Sequence, residues 1–99
     1  MEKLSLRFTR RAERQLEDIL GYIALDNPDA ARKIVEHVED LMAKVLDYPA
    51  MGRNVFEGLP YREVSAYPCR LIYRRMANVI WVVVILRVEQ LLRRGMLEA

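Results

Sequence analysis

The residues best suited to binding or chemistry in this 99-residue chain are the arginines of its second half. Every basic side chain after position 50 is an arginine: Arg53, Arg62, Arg70, Arg74, Arg75, Arg87, Arg93 and Arg94. A guanidinium group presents a planar fork of donors that can hold a carboxylate or a phosphate through two hydrogen bonds at once. These residues therefore favour a site for an acidic peptide or a nucleic-acid backbone. The alternative is an ordinary solvated surface whose arginines pair with Glu57 or Glu63.

The spacing of these arginines predicts that several of them share one face of a sheet. Arg70, Ile72 and Arg74 lie at every second position of a strand-like segment, so their side chains should point to the same side. The two arginines would then be about 13 Å apart. Arg62 and Arg87 on the flanking strands would extend the row.

Most catalytic and metal chemistries lack the residues they need. The chain has one histidine and one cysteine, His37 and Cys69, which are too few for a Cys/His zinc site. Gly52 and Gly58 are isolated turn residues and form no glycine-rich phosphate loop. The acidic residues of the predicted helices fall on solvent-facing positions, so paired-carboxylate catalysis has no support. We therefore expect no metal site and no cofactor.

The composition predicts one small folded domain that comprises residues 1–99. Hydrophobic residues make up 53% and charged residues 30%, with a net charge of +2, whereas disordered chains have few apolar residues and a large charge imbalance. No apolar run precedes Arg7 as in a secretory signal. The longest apolar run, Val79 to Leu86, is far shorter than the roughly 20 residues of a membrane helix. We therefore expect a cytoplasmic protein that does not enter a membrane.

The first half of the chain has the patterns of one strand and two helices. Polar and apolar residues alternate over residues 3–8, which predicts a short strand with one buried face. Apolar residues then recur at spacings of three and four in two successive segments, as in amphipathic helices. Thr9 and Asn27 are the expected N-caps. Together they predict a helical hairpin over about residues 9–47.

The second half changes to the pattern of strands separated by turns. Three strands are expected, near Tyr61–Ser65, Cys69–Arg75 and Val79–Arg87. Connections this short join antiparallel neighbours, and the first strand of the chain would join the edge of the same sheet. The expected fold is therefore α+β with the order β-α-α-β-β-β. It has an antiparallel sheet over residues 3–8 and 61–87, the helical hairpin packed on one face, and a tail over residues 88–99.

The last predicted strand is apolar at every position, so both of its faces carry apolar side chains. The helical hairpin covers only one face, and leaving the other in water would cost on the order of several kcal/mol at about 25 cal/mol per Å² of apolar surface. Trp81 lies inside this run, which favours a place in the core or an interface over base stacking. The second face could be covered by a second copy of the chain, by a partner, or by the tail. In the tail, one helical side would consist of Val88, Leu91, Leu92 and Met96.

Several short motifs follow one another along almost the whole chain. In the first half they are Phe8-Thr9, Ile19-Leu20-Gly21-Tyr22-Ile23-Ala24, Asn27-Pro28 and Ala30-Ala31-Arg32. In the second half they are Gly52-Arg53, Arg62-Glu63, Tyr67-Pro68-Cys69-Arg70-Leu71-Ile72-Tyr73-Arg74 and Ile85-Leu86-Arg87-Val88. The ordered set resembles the ParE toxins of the RelE/ParE superfamily, and that resemblance agrees with the β-α-α-β-β-β order.

The resemblance implies the toxin half of a bacterial type II toxin–antitoxin pair. ParE members inhibit DNA gyrase and are neutralised by a ParD-like antitoxin whose C-terminal segment wraps the toxin. A homodimer or a toxin–antitoxin hetero-oligomer is expected. On this hypothesis the sheet face of the last strand binds the antitoxin through Arg70, Ile72, Arg74, Trp81 and Val83. The gyrase-binding residues would be Arg87, Gln90, Arg93 and Arg94.

Two other functions remain open within the same superfamily. RelE members cut mRNA on the ribosome, and here such a nuclease would use Arg70, Arg74 and Arg87 to stabilise the phosphate. Gln90 stands where many relatives carry a histidine, and it cannot move protons, which disfavours the nuclease. The sequence therefore favours an inhibitor over an enzyme. Departures from the family pattern at Cys69 and in the apolar tail leave a third hypothesis, a weakly toxic homologue that mainly binds its antitoxin.

Overall fold

The computed structural model describes residues 3–97; residues 1, 2, 98 and 99 of the expected domain lie outside the described part. Its elements follow one another as β1 (Ser5–Phe8), α1 (Arg10–Asp26), α2 (Pro28–Asp47), β2 (Arg53–Asn54), β3 (Arg62–Ala66), β4 (Cys69–Met76) and β5 (Val79–Arg87). A short 3-10 helix, Arg94–Leu97, follows β5. The α+β fold class and the order predicted from the sequence are confirmed, with the two-residue strand β2 as an addition.

The helices begin where the capping residues predict. The Thr9 hydroxyl oxygen accepts a hydrogen bond from the backbone N–H of Ala12 at 3.1 Å, and the Asn27 side-chain oxygen accepts one from Ala30 at 3.0 Å. Each of these bonds satisfies a donor that has no partner within its own helix. Asn27 also ends α1, because its backbone N–H donates to the carbonyl of Ile23. No helix within residues 3–97 is long and apolar enough to cross a membrane.

The five strands lie in the order β1-β5-β4-β3-β2. Strands β2 to β5 are antiparallel to their neighbours, as their short connections require. The sheet is nevertheless mixed, because β1 runs parallel to β5, with Ser5 opposite Val79 and Phe8 opposite Val82. The sequence-based expectation of an entirely antiparallel sheet is corrected in this detail. The helical hairpin and the strands after it give the chain the long crossover that parallel neighbours need.

The helical hairpin covers one face of the sheet, which we call the helix-covered face. Three α2 side chains, Val38, Met42 and Val45, are buried there together with Ala12 and Ile19 of α1. The strands contribute Val64, Ala66, Cys69, Leu71, Tyr73, Ile80, Val82 and Ile85 to the same core. This core is the packing that the amphipathic pattern of both helices predicts.

The opposite face, the second face, carries a smaller core of its own. Ile72, Val84 and Leu86 are buried beneath the loop before β3 and beneath the end of the tail. The loop contributes Val55, Phe56 and Leu59, and the tail contributes Leu92, Met96 and Leu97. The tail therefore does fold back over this face, but only in part.

The prediction that four apolar residues of the tail form one buried side of a helix is wrong for two of them. Val88 and Leu91 are 40% and 70% exposed, while Leu92 and Met96 pack against the core. The chain turns directly after β5, where the backbone N–H of Gln90 donates to the carbonyl of Arg87. No helix therefore starts at residue 88, and within the described part of the tail, residues 88–97, the only helical turn is Arg94–Leu97.

Candidate partner-binding face

A bulge in β5 decides which side chains reach the second face. Ile72 lies opposite Val84 and Tyr73 opposite Val82, so Val83 is an extra residue in β5. Such a residue reverses the alternation of every side chain that follows it. Val83 and Val84 consequently both belong to the second face, and Ile85 returns to the helix-covered core.

Arg87 therefore lies on the helix side of the sheet. Its guanidinium carbon is 4.9 Å from the centroid of the Tyr22 ring on α1, a cation–π geometry. Arg70 and Arg74 extend from the second face instead. The structure does not bring together the three arginines that a nuclease would use. The expected row of arginines includes neither Arg87 nor Arg62, because Arg62 lies opposite Tyr73 of the helix-covered face and donates to the carbonyl of Gly52 at 2.8 Å.

Arg70 is held in a buried ion pair. Its Nε and Nη2 atoms donate to the two carboxylate oxygens of Glu63 at 3.0 and 2.9 Å, and Glu63 is only 7% exposed. Arg53 adds a longer contact of 3.4 Å to the same carboxylate. The bidentate geometry is the strongest form of such a pair. The alternative considered for this arginine, pairing with Glu63, is what the structure contains.

This pairing shifts the pKa values of both partners. Burial on its own raises the pKa of the Glu63 carboxyl, but hydrogen bonding and attraction from Arg70, with a smaller contribution from Arg53, lower it below its usual value. The hydrogen bond from Arg70 to Glu63 raises the pKa of Arg70, against the opposing effect of burial. Both groups are therefore charged at neutral pH.

The same ion pair holds the start of the tail. Nη1 of Arg70 donates to the backbone carbonyl of Gln90, and the Gln90 side-chain oxygen accepts from the backbone N–H of Arg87 at 2.8 Å. Gln90, an expected gyrase-binding residue, thus serves to position the chain. Arg93 and Arg94 beyond it are exposed.

Arg74 has a different environment at the other end of β4. Its guanidinium carbon is 5.3 Å from the centroid of the Tyr61 ring, and Nη1 makes a long contact of 3.5 Å with the Tyr61 hydroxyl. Its Nε atom is buried and has no hydrogen-bond partner among the described residues. A buried donor without a partner costs about 1–3 kcal/mol. This is the feature of the second face that most needs an explanation.

The Arg74 side chain borders an open cavity of about 570 Å³, which we call the Arg74 groove. Its lining residues come from β4, β5, the start of α1 and the end of the tail: Thr9, Arg11, Tyr61, Arg74, Met76, Trp81, Val83 and Leu97. Most of this lining is apolar, and none of these side chains is acidic. Arg74 and Arg11 are its two cations, and Nη2 of Arg11 is 3.4 Å from the carbonyl of Val83.

The register of the sheet adds a third cation beside this groove. Trp81 of β5 lies between Arg74 of β4 and Arg7 of β1 as their direct neighbour. Directly opposed residues project from the same face of a sheet. Arg7 is exposed on the edge strand, so the second face presents a tryptophan flanked by two arginines.

The expected antitoxin-binding residues divide into two groups. Trp81, Val83 and Arg74 line the groove. Ile72 is completely buried beneath the loop and the tail, and Arg70 is used in the ion pair with Glu63. The first group borders open space, whereas the second group is covered or paired within the protein.

Three residues at these sites were not predicted from the sequence. Tyr61 was assigned to a strand without a partner, although pairing β3 with β4 places it beside Arg74. Arg11 lies in the first turn of a helix, and nothing in its pattern indicates that it reaches β5. Tyr22 belongs to a resemblance motif, but its contact with Arg87 depends on the bulge. Among residues 3–97, no three His, Cys, Asp or Glu side chains converge in a way that could hold a metal ion.

The architecture is that of an α+β protein with a helical hairpin on one face of a mixed sheet and a basic, partly open second face. The family model described as the ParE toxin of the type II toxin–antitoxin system parDE matches residues 6–92. The chain belongs to this family and, with it, to the RelE/ParE superfamily.

One curated relative and two solved structures illustrate this similarity. Y4kP of Sinorhizobium fredii (strain NBRC 101917 / NGR234), named as a candidate toxin, is 40% identical over 53 residues, or 54% of this chain. The match spans about half of that relative, 55% of its length. The chromosomal ParDE toxin–antitoxin system from P. aeruginosa matches with a TM-score of 0.73 at 23% identity, over 88% of this chain and 98% of that one. A free-state mutant of the E. coli toxin RelE matches with a TM-score of 0.63 at 19% identity, over 89% and 86% of the two chains.

Proposed function

We propose that this ParE-family toxin inhibits DNA gyrase, and that a ParD-like antitoxin neutralises it by binding the second face. The protein would act in the cytoplasm as a single domain of residues 1–99. The observation that carries the choice of gyrase over mRNA is the separation of Arg87 from Arg70 and Arg74 on opposite faces of the sheet. A nuclease needs its cations around one phosphate, whereas an inhibitor needs only a binding surface.

The remaining side chains support the same choice. Arg70 is neutralised by Glu63, and Gln90 is used to hold the tail. Neither is available as a proton donor or acceptor for RNA cleavage. Arg87 stacks on Tyr22, which leaves it the role of a cation on a binding surface.

The tail provides a surface that a large target could contact. It is fastened at Gln90 by Arg70 and at Leu97, whose carbonyl accepts a hydrogen bond from the Tyr61 hydroxyl at 3.2 Å. Between these two points, Arg93 and Arg94 are exposed. A segment held at both ends loses less conformational freedom when it binds. We therefore assign the gyrase contact to these two arginines together with Arg87.

The function is tested by gyrase assays with the purified protein. We expect it to block DNA supercoiling and to accumulate cleavage complexes. The double change of Arg93 and Arg94 to Gln should weaken inhibition about tenfold, because charged contacts at an interface are worth on the order of 1–2 kcal/mol. Arg32→Gln is the control. Arg32 is an exposed arginine of α2 that pairs with the neighbouring Asp29 and belongs to neither the tail nor the sheet.

A second experiment separates the remaining outcomes. Expression of the chain alone should arrest growth, and coexpression with the small open reading frame directly upstream should relieve the arrest. Normal supercoiling at high excess of the toxin would refute gyrase inhibition. Cutting of mRNA in a translating extract, abolished by Arg87→Ala, would establish the nuclease instead. Tight antitoxin binding without arrest would indicate the weakly toxic homologue.

A further inference from the structure

Three arginines line another cavity, at the end of the sheet where β3 begins and β4 ends. Its volume is about 350 Å³, and we call it the end pocket. Arg62 projects from the helix-covered side and Arg74 from the second face, and both border this pocket because it lies at the end of the sheet. The described lining residues are Pro49, Asn54, Leu59, Pro60, Arg62, Tyr73, Arg74 and Arg75. None of them is acidic, so three positive charges border one space without a carboxylate to compensate them.

The hydrogen-bond partners of these arginines within residues 3–97 are uncharged. Arg62 donates to the backbone carbonyl of Gly52 at 2.8 Å, and Nε of Arg75 donates to that of Ala77 at 3.0 Å. Nε of Arg74 is buried and has no partner among the described residues. None of the three forms an ion pair with a described carboxylate. These contacts restrain the side chains without neutralising their charge, so the pocket is arranged for an anion before one binds.

A carboxylate does occur beside one of these arginines, but outside the pocket. Asp47 borders an adjoining cavity together with Arg75 and Lys3. It forms no ion pair within 4 Å with either of them. The positive charge of Arg75 therefore remains available to the end pocket.

The arrangement of the donors distinguishes a phosphate from a carboxylate. Elsewhere in this protein one arginine satisfies one carboxylate, since Arg70 donates to both oxygens of Glu63. A single carboxylate in the end pocket would leave the other guanidinium groups without an acceptor. A phosphate group presents up to three free oxygens in a tetrahedron rather than in one plane. It can therefore accept from guanidinium groups that approach from different sides.

The rest of the lining favours recognition of the phosphate group rather than of a base. Tyr73 is the only aromatic residue of the described lining, and it is 1% exposed, with its hydroxyl donating to the carbonyl of Pro49. A base therefore has no open ring on which to stack, as single-stranded nucleic acids require. Asn54 is exposed and adds a side-chain amide donor. The volume lies toward the lower end of the range for small-ligand sites and suits a phosphate with the sugar that carries it.

We propose that the end pocket binds a phosphate group through Arg62, Arg74 and Arg75. The phosphate belongs either to a DNA backbone or to a free phosphate or mononucleotide, because both sources present the same acceptor oxygens. The site differs from the tail arginines assigned to gyrase, and it shares only Arg74 with the Arg74 groove. This inference therefore goes beyond the proposed function and does not depend on it.

Side-chain ¹H–¹⁵N spectra of the full-length toxin test the site in the wild-type protein. Titration with sodium phosphate at constant ionic strength should shift the Nε–H resonance of Arg74 downfield in a saturable way, because this proton gains an acceptor. Sodium acetate is the carboxylate probe and should bind about tenfold more weakly than phosphate. This measurement needs no variant, so it remains decisive if a substitution in the pocket prevents folding.

Substitutions then assign the binding to the pocket. Arg75→Gln removes an exposed charge and Arg62→Gln a partly buried one, and each should weaken phosphate binding about tenfold. Arg14→Gln is the matched control. It makes the same change at an exposed arginine of α1 outside the pocket and should leave the Kd within about twofold of the wild type.

Two further titrations identify the source of the phosphate. If it is free, adenosine monophosphate should shift the same Arg74 resonance, and a short fluorescein-labelled DNA duplex should bind the wild type and Arg75→Gln equally. If it belongs to a DNA backbone, the duplex should bind the wild type, and Arg75→Gln should weaken that binding about tenfold whereas Arg14→Gln should not.

Three results would overturn the inference. The first is an Arg74 resonance that phosphate does not move. The second is an equal loss of affinity in Arg14→Gln and in the pocket variants, which would mean that binding follows the overall charge. The third is acetate binding as tight as that of phosphate, which would contradict selection by the arrangement of donors. Gyrase inhibition and antitoxin binding are measured separately, so the proposed function stands or fails independently of these results.

Discussion

Arg70 and Arg74 lie on the same strand and the same face of the sheet, four residues apart, yet they have opposite environments. The side chain of Arg70 is 15% exposed and is fully engaged by Glu63 and the carbonyl of Gln90. Arg74 rests on an aromatic ring, and its buried Nε atom has no partner among the described residues. One arginine completes the toxin's own structure, and the other is left unsatisfied at the edge of a cavity.

The difference originates in β3. Glu63 of that strand lies opposite Ile72 and reaches Arg70 diagonally, while Tyr61, two positions earlier, lies beside Arg74. Two successive positions on this face therefore carry a carboxylate and an aromatic ring. The carboxylate forms an ion pair with Arg70, and the ring stacks on Arg74. The second face is consequently closed at the Arg70 end, beneath the loop and the tail, and open at the Arg74 end.

The largest difference in stability between the two ends should appear when the carboxylate of Glu63 is removed from the closed end. Glu63→Gln leaves Arg70 charged, mostly buried and without an opposite charge, and we expect a loss of about 3 kcal/mol in the free energy of unfolding. Urea denaturation followed by circular dichroism measures it. Arg74→Met is the matched substitution at the open end and should change stability by less than about 1 kcal/mol, because it removes an unsatisfied donor. Equal losses in the two variants would show that the ends are not different.

The next largest effect should come from Gly52, which packs against Tyr73 of the helix-covered core at the β3 edge of the sheet. A Cβ atom there would be 2.8 Å from the Tyr73 hydroxyl and 2.9 Å from the backbone carbonyl of Glu63. Tyr73 cannot move away easily, since its hydroxyl also donates to the carbonyl of Pro49 at 2.7 Å. We therefore expect Gly52→Ala to cost about 2 kcal/mol in thermal or urea unfolding.

Gly21→Ala is the control for this substitution. Gly21 lies within α1, and an added Cβ would meet nothing within 4 Å. Because alanine favours the helix, this change should stabilise the protein by up to about 1 kcal/mol. A neutral Gly52→Ala variant would contradict the close packing of Tyr73 against this edge.

Acidification should weaken the closed end alone. The pKa of Glu63 in the folded protein lies below its usual value near 4.5, so the ion pair contributes stability above that value and loses it as the pH falls through the lowered pKa. Unfolding measured between about pH 7 and pH 3 should show the wild type and Glu63→Gln converging toward acid. A constant difference between the two curves would mean that the pKa of Glu63 is the same in the folded and unfolded protein, so that Arg70 does not lower it. Arg74→Met should follow the wild-type curve throughout.

The sequence was sufficient to predict the helices and strands, but not which face of the sheet each side chain of β5 reaches. Caps at Thr9 and Asn27 and the turns of the second half locate the helices and strands because these signals act over a few neighbouring residues. The bulge at Val83 is different: β5 is apolar on both sides of it, so no polar residue marks where the alternation reverses. Arg87 was therefore expected beside Arg70, and it lies on the opposite face, over Tyr22.

The roles of the two arginines were equally invisible to spacing alone. Their positions are equivalent by alternation, and only the pairing of β3 with β4 reveals which neighbour each one receives. Such cross-strand neighbours depend on register, and register depends on turns and bulges that the pattern of apolar residues does not specify here. The sequence therefore predicted the correct face for Arg70 and Arg74, but not that the two residues have different environments.

Tyr61 contacts both Arg74 and the tail, so removing its hydroxyl tests whether the two act independently. The expected effect is the smallest of those predicted. The ring stacks under Arg74, while the hydroxyl donates to the carbonyl of Leu97 at the end of the tail. Tyr61→Phe keeps the ring and removes that donor, so we expect a loss of no more than about 1 kcal/mol and faster hydrogen exchange at tail amides such as Met96. Tyr48→Phe, at a tyrosine that is 71% exposed, is the control and should change neither quantity. Antitoxin affinity should also be unchanged in Tyr61→Phe, because the stacking that orients Arg74 is intact; a tenfold loss would mean that the tail and the groove bind the partner as one unit.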